Sequence, residues 1–247
     1  MSGAQTPPTE AGAEALDAFI GKWRARWPEW SVAEVFVPPA QRPVVLAWAA
    51  LQQELTDAAW GGSDARPGEA KLLWWQEELH GWSQGRRRHP LGGALQRQPA
   101  SWAELAAALP TLRDSRERPA DRQESVAQLL PLASVAGAIE QALFGGVPAS
   151  APVAPVIVAA WLQARLVRDG ATAVPLSALA RRPGSGDTDC EAAWRAELLR
   201  HWPTADGATR PRRLWAAIAR ARLARGGADQ PLPAWAALWA AWRGARN

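Results

Sequence analysis

The stretch LAWAALQQELTDAAW, Leu46 to Trp60, closes an apolar helical repeat with two acids, Glu54 and Asp57. Carboxylates placed this way either hold a hard divalent cation such as Mg²⁺ or face water. Val44, Trp48, Leu51 and Leu55 recur at helical spacing and mark the buried face. At roughly 100° per residue, Glu54 lies roughly 80° from the axis of that stripe and Asp57 roughly 140° from it. Glu54 can therefore edge a cavity, whereas Asp57 is expected to face water. For both acids an ordinary solvated helix flank is the leading expectation, ahead of a cavity-facing polar site or a working magnesium site.

Two further groups carry charge in informative places. Arg168 projects beside Ile157, Trp161 and Ala164. A cation on an apolar face needs a partner, and Glu54 or the adjacent Asp169 can supply it as a structural bridge, with a diphosphate as the competing occupant. The tract Arg86-Arg87-Arg88-His89 is a candidate anion site for a phosphate or a lipid headgroup, set against the plainer expectation of a solvated basic loop. His80 and His201 are isolated, and no spacing of His, Cys and acids suggests zinc. No phosphate-binding loop, nucleophile elbow or dinucleotide fingerprint is present.

The elements that must position these groups read as helices. They are expected at about 10–27, 41–60, 67–84, 153–169, 189–202, 211–225 and 233–245, with Pro43 in a first turn and Gly61-Gly62 and Gly85 as stops. Ser101 with Glu104 and Asp121 with Glu124 read as capping boxes. The helix from Asp121 to about 144 contains Pro131, which should kink it. Leu72, Trp75, Leu79 and Trp82 form a second core stripe, while Trp74 lies off it and is free for a neighbouring helix or a partner. The expected domain plan is a flexible 1–9 followed by one all-α domain over 10–247.

Composition sets limits. Ala, Leu, Arg, Glu, Gln and Trp dominate, Tyr is absent, and Phe occurs three times, which favours helices over strands. Net charge is +4 and the pI near 10.4, which could point to nucleic acid or an anionic surface. Lysine occurs only at Lys22 and Lys71, however, and the excess of Ala, Gly, Pro, Arg and Trp is what a G+C-rich genome produces. Nucleic acid is accordingly not expected as a partner. Most of the 16 tryptophans sit at helical spacing with aliphatic neighbours, as core residues do. Cys190 is the single cysteine, so a disulfide within the chain is impossible and a reducing compartment fits. No signal peptide and no apolar run of the ~18 residues that span a bilayer is read. The expectation is a cytoplasmic chain, with peripheral membrane contact left open.

From Phe36 to Leu95 the order of features is specific. FVPPAQRPVVLAWAALQQELTD is followed by a Gly/Pro loop, then GEAKLLWWQEEL, then RRHPLGGAL. This order resembles the squalene/phytoene synthase family. LVRDGATAVPLSAL, Leu166 to Leu179, resembles that family's Arg-Asp segment more weakly, and LPAWAALWAAWRGAR fits its closing helix loosely. The resemblance implies an all-α helical bundle of the isoprenoid-synthase type around a cavity for prenyl diphosphates. It also implies two aspartate-rich motifs whose acids bind Mg²⁺.

Both motifs depart from that pattern. Glu54 and Asp57 stand three apart, and position 58 is Ala; Asp169 is followed by Gly170, Ala171, Thr172 and Ala173. Mg²⁺ demands near-octahedral oxygen ligation, and too few carboxylates remain for a multi-metal cluster unless distant acids such as Glu140 substitute. The favoured reading is a protein that kept the scaffold, lost the metal-diphosphate chemistry, needs no cofactor, and binds an isoprenoid or other lipid, or a protein partner. The competing reading is an active Mg²⁺-dependent prenyl transferase joining two diphosphates head to head, with Glu54 and Asp169 on metal and Arg168 on diphosphate. A third is an unrelated helical adaptor, which would gather Arg86, Arg87, Arg88, Arg181, Arg182, Arg212 and Arg213 on one face.

Overall fold

The computed structural model describes residues 10–145, 153–181, 186–226 and 230–246. Residues 1–9, expected as a flexible terminus, and Arg182 lie outside them. The described residues are helical and contain no strand. In chain order the helices are α1 (Glu10–Arg26), α2 (Trp30–Ala33), α3 (Arg42–Trp60), α4 (Arg66–Ser83), α5 (Gly92–Leu95), α6 (Trp102–Asp114), α7 (Arg122–Ala127), α8 (Leu130–Phe144), α9 (Ala154–Asp169), α10 (Leu176–Ala180), α11 (Asp187–Arg200), α12 (Arg210–Arg225) and α13 (Ala234–Arg246).

Proline opens several of these helices because its missing N–H falls where no intrahelical acceptor exists; Pro43, Pro67, Pro131, Pro155 and Pro211 all sit in first turns. Pro131 therefore does more than kink a helix. It starts α8, and the stretch expected to be continuous from Asp121 divides into α7 and α8. Asp121 does cap α7, its Oδ1 accepting from the Glu124 N–H at 2.9 Å, while the Glu124 carboxylate accepts from Ala120 N–H at 2.5 Å. Ser101 makes no cap hydrogen bond. The stretch Arg122–Phe144 also has a mean hydropathy of 1.3 over an 18-residue window, so an apolar run of spanning length does exist. In the fold it packs on α6 and α9 as a core element.

Helix follows helix by lateral packing: α1 on α3, α3 on α4, α4 on α6, α6 on α8, α8 on α9, α9 on α12, and α12 on α13. Gly68 lets α4 approach α3, since a Cβ there would stand 2.2 Å from the Ala58 carbonyl oxygen. One large cluster of buried side chains joins Trp23 of α1 to Ala241 of α13. Trp48, Trp75, Trp161 and Leu51 are buried in it as the stripes require, whereas Val44 is only half-buried. Tryptophans fill the core edge to face, with Trp82 and Trp102 at 5.2 Å and Trp23 and Trp30 at 5.4 Å.

Candidate functional site

A small space lies between α3, α6, α8 and α9. Trp48, Gln52, Leu55 and Thr56 line it from α3, Leu105 and Leu112 from α6, Leu132 and Ala136 from α8, and Trp161 from α9. Its volume is about 10 Å³. That is roughly the room a single water needs, against roughly 300–1,000 Å³ for pockets that take drug-sized ligands.

Beside this space the four residues singled out from the sequence do meet, within one ladder of alternating charge. Lys71 of α4 donates to Glu54 at 2.7 Å, and Lys22 of α1 donates to its other oxygen at 2.5 Å. Lys22 reaches Asp57 at 3.7 Å, and Arg26 donates to Asp57 at 2.7 Å. Arg168 lies 3.5 Å from Asp57 and donates to both oxygens of Asp169 at 2.6 and 2.7 Å. Arg165 closes the ladder 3.7 Å from Asp169. Arg165 and Arg168 also lie over the Trp60 ring, at 5.3 and 5.5 Å from its centroid.

This corrects the expected positions of both acids on α3. Glu54 is 3% exposed and is no solvated flank. Asp57 does not face open water either, because α1 crosses α3 on that side and brings Lys22 and Arg26 onto it. Burial alone would raise the Glu54 pKa, but the hydrogen bonds from Lys22 and Lys71 outweigh it and hold the carboxylate below its ordinary 4.5. Arg168 has its carboxylate partner in Asp169 and touches Asp57, not Glu54. Burial lowers the Arg165 guanidinium to about 10, still charged at neutral pH, with its Nη atoms donating to the carbonyls of Ser115 and Arg116. Three carboxylates thus face five protein cations, Lys22, Lys71, Arg26, Arg165 and Arg168. Among the described residues no group of three or more His, Cys, Asp or Glu is arranged to hold a metal ion.

Glu140, the distant acid, is committed elsewhere. Arg212 of α12 grips both its oxygens, Trp48 Nε1 donates to it at 2.8 Å, and Gln52 takes the same guanidinium at 2.8 Å. Arg222 and Glu29 form a second buried pair, with the Leu232 N–H on Glu29 at 2.7 Å. Sequence reading did not find either pair, nor the two lysines on Glu54, because the partners are 17 to 193 residues apart. Arg165 was findable: it stands four residues before Asp169 on one helix.

The basic tract is arranged around a carboxylate of its own. Buried Glu78 accepts from the backbone N–H groups of Arg88 and His89 at 2.7 and 2.8 Å, from Trp82 Nε1 at 2.8 Å and from Arg88 Nε at 3.0 Å. A bound phosphate would have to compete with that anion. His89 is not a cation for the tract: burial lowers its pKa to about 4, and its ring packs 4.4 Å from Phe19 and 4.5 Å from Trp75. Trp74 makes its second contacts here, with His89 at 5.9 Å and under Arg88 at 5.2 Å. Arg86 and Arg87 remain exposed beside a cleft of about 490 Å³. Among the described residues the adaptor's arginines do not all share an exposed face, since Arg212 is fully buried on Glu140.

The chain matches no family model and no curated protein. Among solved structures it is similar to a dehydrosqualene synthase crystallised with a ligand, at 12% identity and a TM-score of 0.62, over 96% of this chain and 98% of that one. It is also similar to the squalene synthase HpnC from Alicyclobacillus acidocaldarius, at 20% identity and a TM-score of 0.54, over 91% and 98% of the two chains. The fold is therefore squalene/phytoene synthase-like over most of the chain. At these identities the likeness extends to architecture and not to activity.

Proposed function

We propose that this chain uses a squalene/phytoene synthase-like scaffold without prenyl transfer, and that it acts by binding a lipid or protein partner at its surface. The observation that carries the reading is the interior space of about 10 Å³, closed by Trp48, Trp161 and their leucine neighbours, into which no prenyl chain fits without moving helices. The charge ladder supports it. Ionising an allylic diphosphate requires stabilisation of the charge that develops on the leaving group, and metal-held electrostatics of that kind are commonly the largest catalytic contribution. For Glu54 and Asp169 to ligate Mg²⁺ they would first have to release Lys22, Lys71 and Arg168, and the cluster carries a surplus of positive charge that repels the ion.

The test is turnover. Purified chain incubated with labelled farnesyl or geranylgeranyl diphosphate and Mg²⁺ is expected to give neither condensation nor diphosphate release. Release or condensation by the parent protein that disappears in both Glu54→Ala and Asp169→Ala would overturn this reading and install a metal-dependent transferase in its place.

A further inference from the structure

Helix α13, AWAALWAAWRGAR, is built inside out for a helix of a protein core. Its small residues Ala237, Ala240, Ala241 and Gly244 face inward, and three of its large ones face solvent, Trp235 at 72% exposed, Trp239 at 57% and Leu238 at 45%, with Trp242 half-buried beside them. The inward set explains how α13 lies so close on α12, since a Cβ at Gly244 would stand 2.7 Å from the Arg213 carbonyl oxygen. Nothing in that packing requires tryptophan on the outer side. Elsewhere in this chain the tryptophans Trp23, Trp75, Trp82, Trp102 and Trp194 are fully buried. A contiguous exposed apolar patch on a folded chain marks a contact surface.

Among the described residues the charges around the patch are mostly positive. Arg220 and Arg225 of α12 and Arg243 and Arg246 of α13 are exposed, and among the described residues none of them forms an ion pair. Between the two helices runs an open groove of about 720 Å³, floored by Leu199, Trp202 and Leu232 and bordered by three of these arginines, with Asp206 as its single acid. Trp239 stacks on Trp242 at 4.8 Å, and Arg246 lies 4.6 Å over the Trp242 ring. By contrast Arg212 and Arg222, on the inner side of α12, are each gripped by a buried glutamate.

We propose that the α13 face, with Trp235, Leu238 and Trp239 at its centre and Arg220, Arg225, Arg243 and Arg246 around it, docks on the surface of an anionic lipid bilayer. Indole rings settle at the boundary between headgroups and acyl chains, where the apolar ring is buried and the N–H stays wet. Arginine stems lie along apolar surface while their heads reach phosphate, and each cation near an anionic leaflet strengthens the attraction. A helix lying flat with tryptophan outward and arginine alongside is the arrangement of an interfacial anchor. The excess of positive charge among the described residues selects this occupant over a second copy of the chain, whose own arginines would repel. This names the partner in the surface reading above; the turnover assay tests the interior separately, so either can fail alone.

The experiment is flotation of the full chain with vesicles of phosphatidylcholine alone or mixed with phosphatidylglycerol. The expected result is binding to the mixed vesicles that weakens with salt, drops roughly tenfold or more in Trp235→Ala/Trp239→Ala, and loses its preference for phosphatidylglycerol in Arg220→Gln/Arg243→Gln. Thermal melting of each variant checks that it folds. No flotation with mixed vesicles, or flotation unchanged in the tryptophan variant, overturns the proposal. So does a dimer that fails to float and is dissolved by the tryptophan variant, which would make a second copy the occupant.

Discussion

The charge ladder beside α3 and the outer face of α13 hold similar residues in opposite states. Both are rich in arginine and tryptophan. Beside α3 each cation has a carboxylate and Trp60 is buried, whereas on α13 Arg243 and Arg246 pair with no acid among the described residues and Trp235 and Trp239 lie in solvent. A compensated, close-packed region spends its interactions on holding the fold. An uncompensated one leaves interactions available to something outside the chain. This contrast between paired charges beside α3 and the exposed face of α13 underlies both proposals above.

The largest effect that could break this contrast is at the buried pair. Arg212→Met strands the Glu140 carboxylate in the core and should destabilise the protein by about 3–5 kcal/mol, read from urea unfolding. Adding Glu140→Gln, which keeps an acceptor for Trp48, should recover much of that loss. If the single variant unfolds like the parent, the pair is not structural.

A smaller effect follows from His89. Its folded pKa of about 4 lies below the ordinary 6.5, so between those values the unfolded chain binds a proton that the folded chain refuses. Stability should be unaffected by this group above pH 6.5 and should fall as pH drops from 6.5 towards 4. The loss is on the order of 1 kcal/mol, since the ring is only part-buried. Glu54 and Glu78, held below their ordinary values, add losses only at the acid end of that window. His89→Phe should flatten the slope in denaturation midpoints taken across it.

Next comes Lys71→Met, which removes one of the two cations on Glu54. Lys71 is half-exposed, so the cost should be about 0.5–1 kcal/mol, and Lys22→Met should match it. A much larger loss would mean that a single lysine cannot compensate the buried Glu54 charge. The smallest effect is expected on α13: Trp235→Ala/Trp239→Ala should shift stability by no more than about 0.5 kcal/mol while removing vesicle binding. A large drop in melting temperature would show that these tryptophans serve the core after all.

Much of the scaffold was legible because local rules govern it. The helices at 42–60, 66–83, 154–169 and 210–225 end within a few residues of where proline, glycine and periodicity place them. Pro131 was misjudged because the same residue that kinks a helix from within can begin one, and the neighbouring chain decides which. Asp57 was misjudged for a related reason. Helical projection gives its angle from the α3 stripe correctly, but only the crossing of α1 determines that this angle is covered by Lys22 and Arg26.

By itself, then, the sequence determined an all-α chain, its helix spans, its core stripes and the spacing of the acids at 54, 57 and 169, because each of these rests on spacing along one segment. The tertiary structure alone decided that Glu140 meets Arg212, that Glu29 meets Arg222, that both lysines converge on Glu54, and that the central space is closed. It also decided which side of α13 faces out. Ala237, Ala240, Ala241 and Gly244 form one helical stripe and Trp235, Leu238, Trp239 and Trp242 the opposite one, and the close approach of Gly244 to α12 goes with the small stripe turned in and Trp235 and Trp239 turned to solvent. Such pairings depend on how helices far apart in sequence cross, and helical periodicity within one segment carries no information about the partner it will meet.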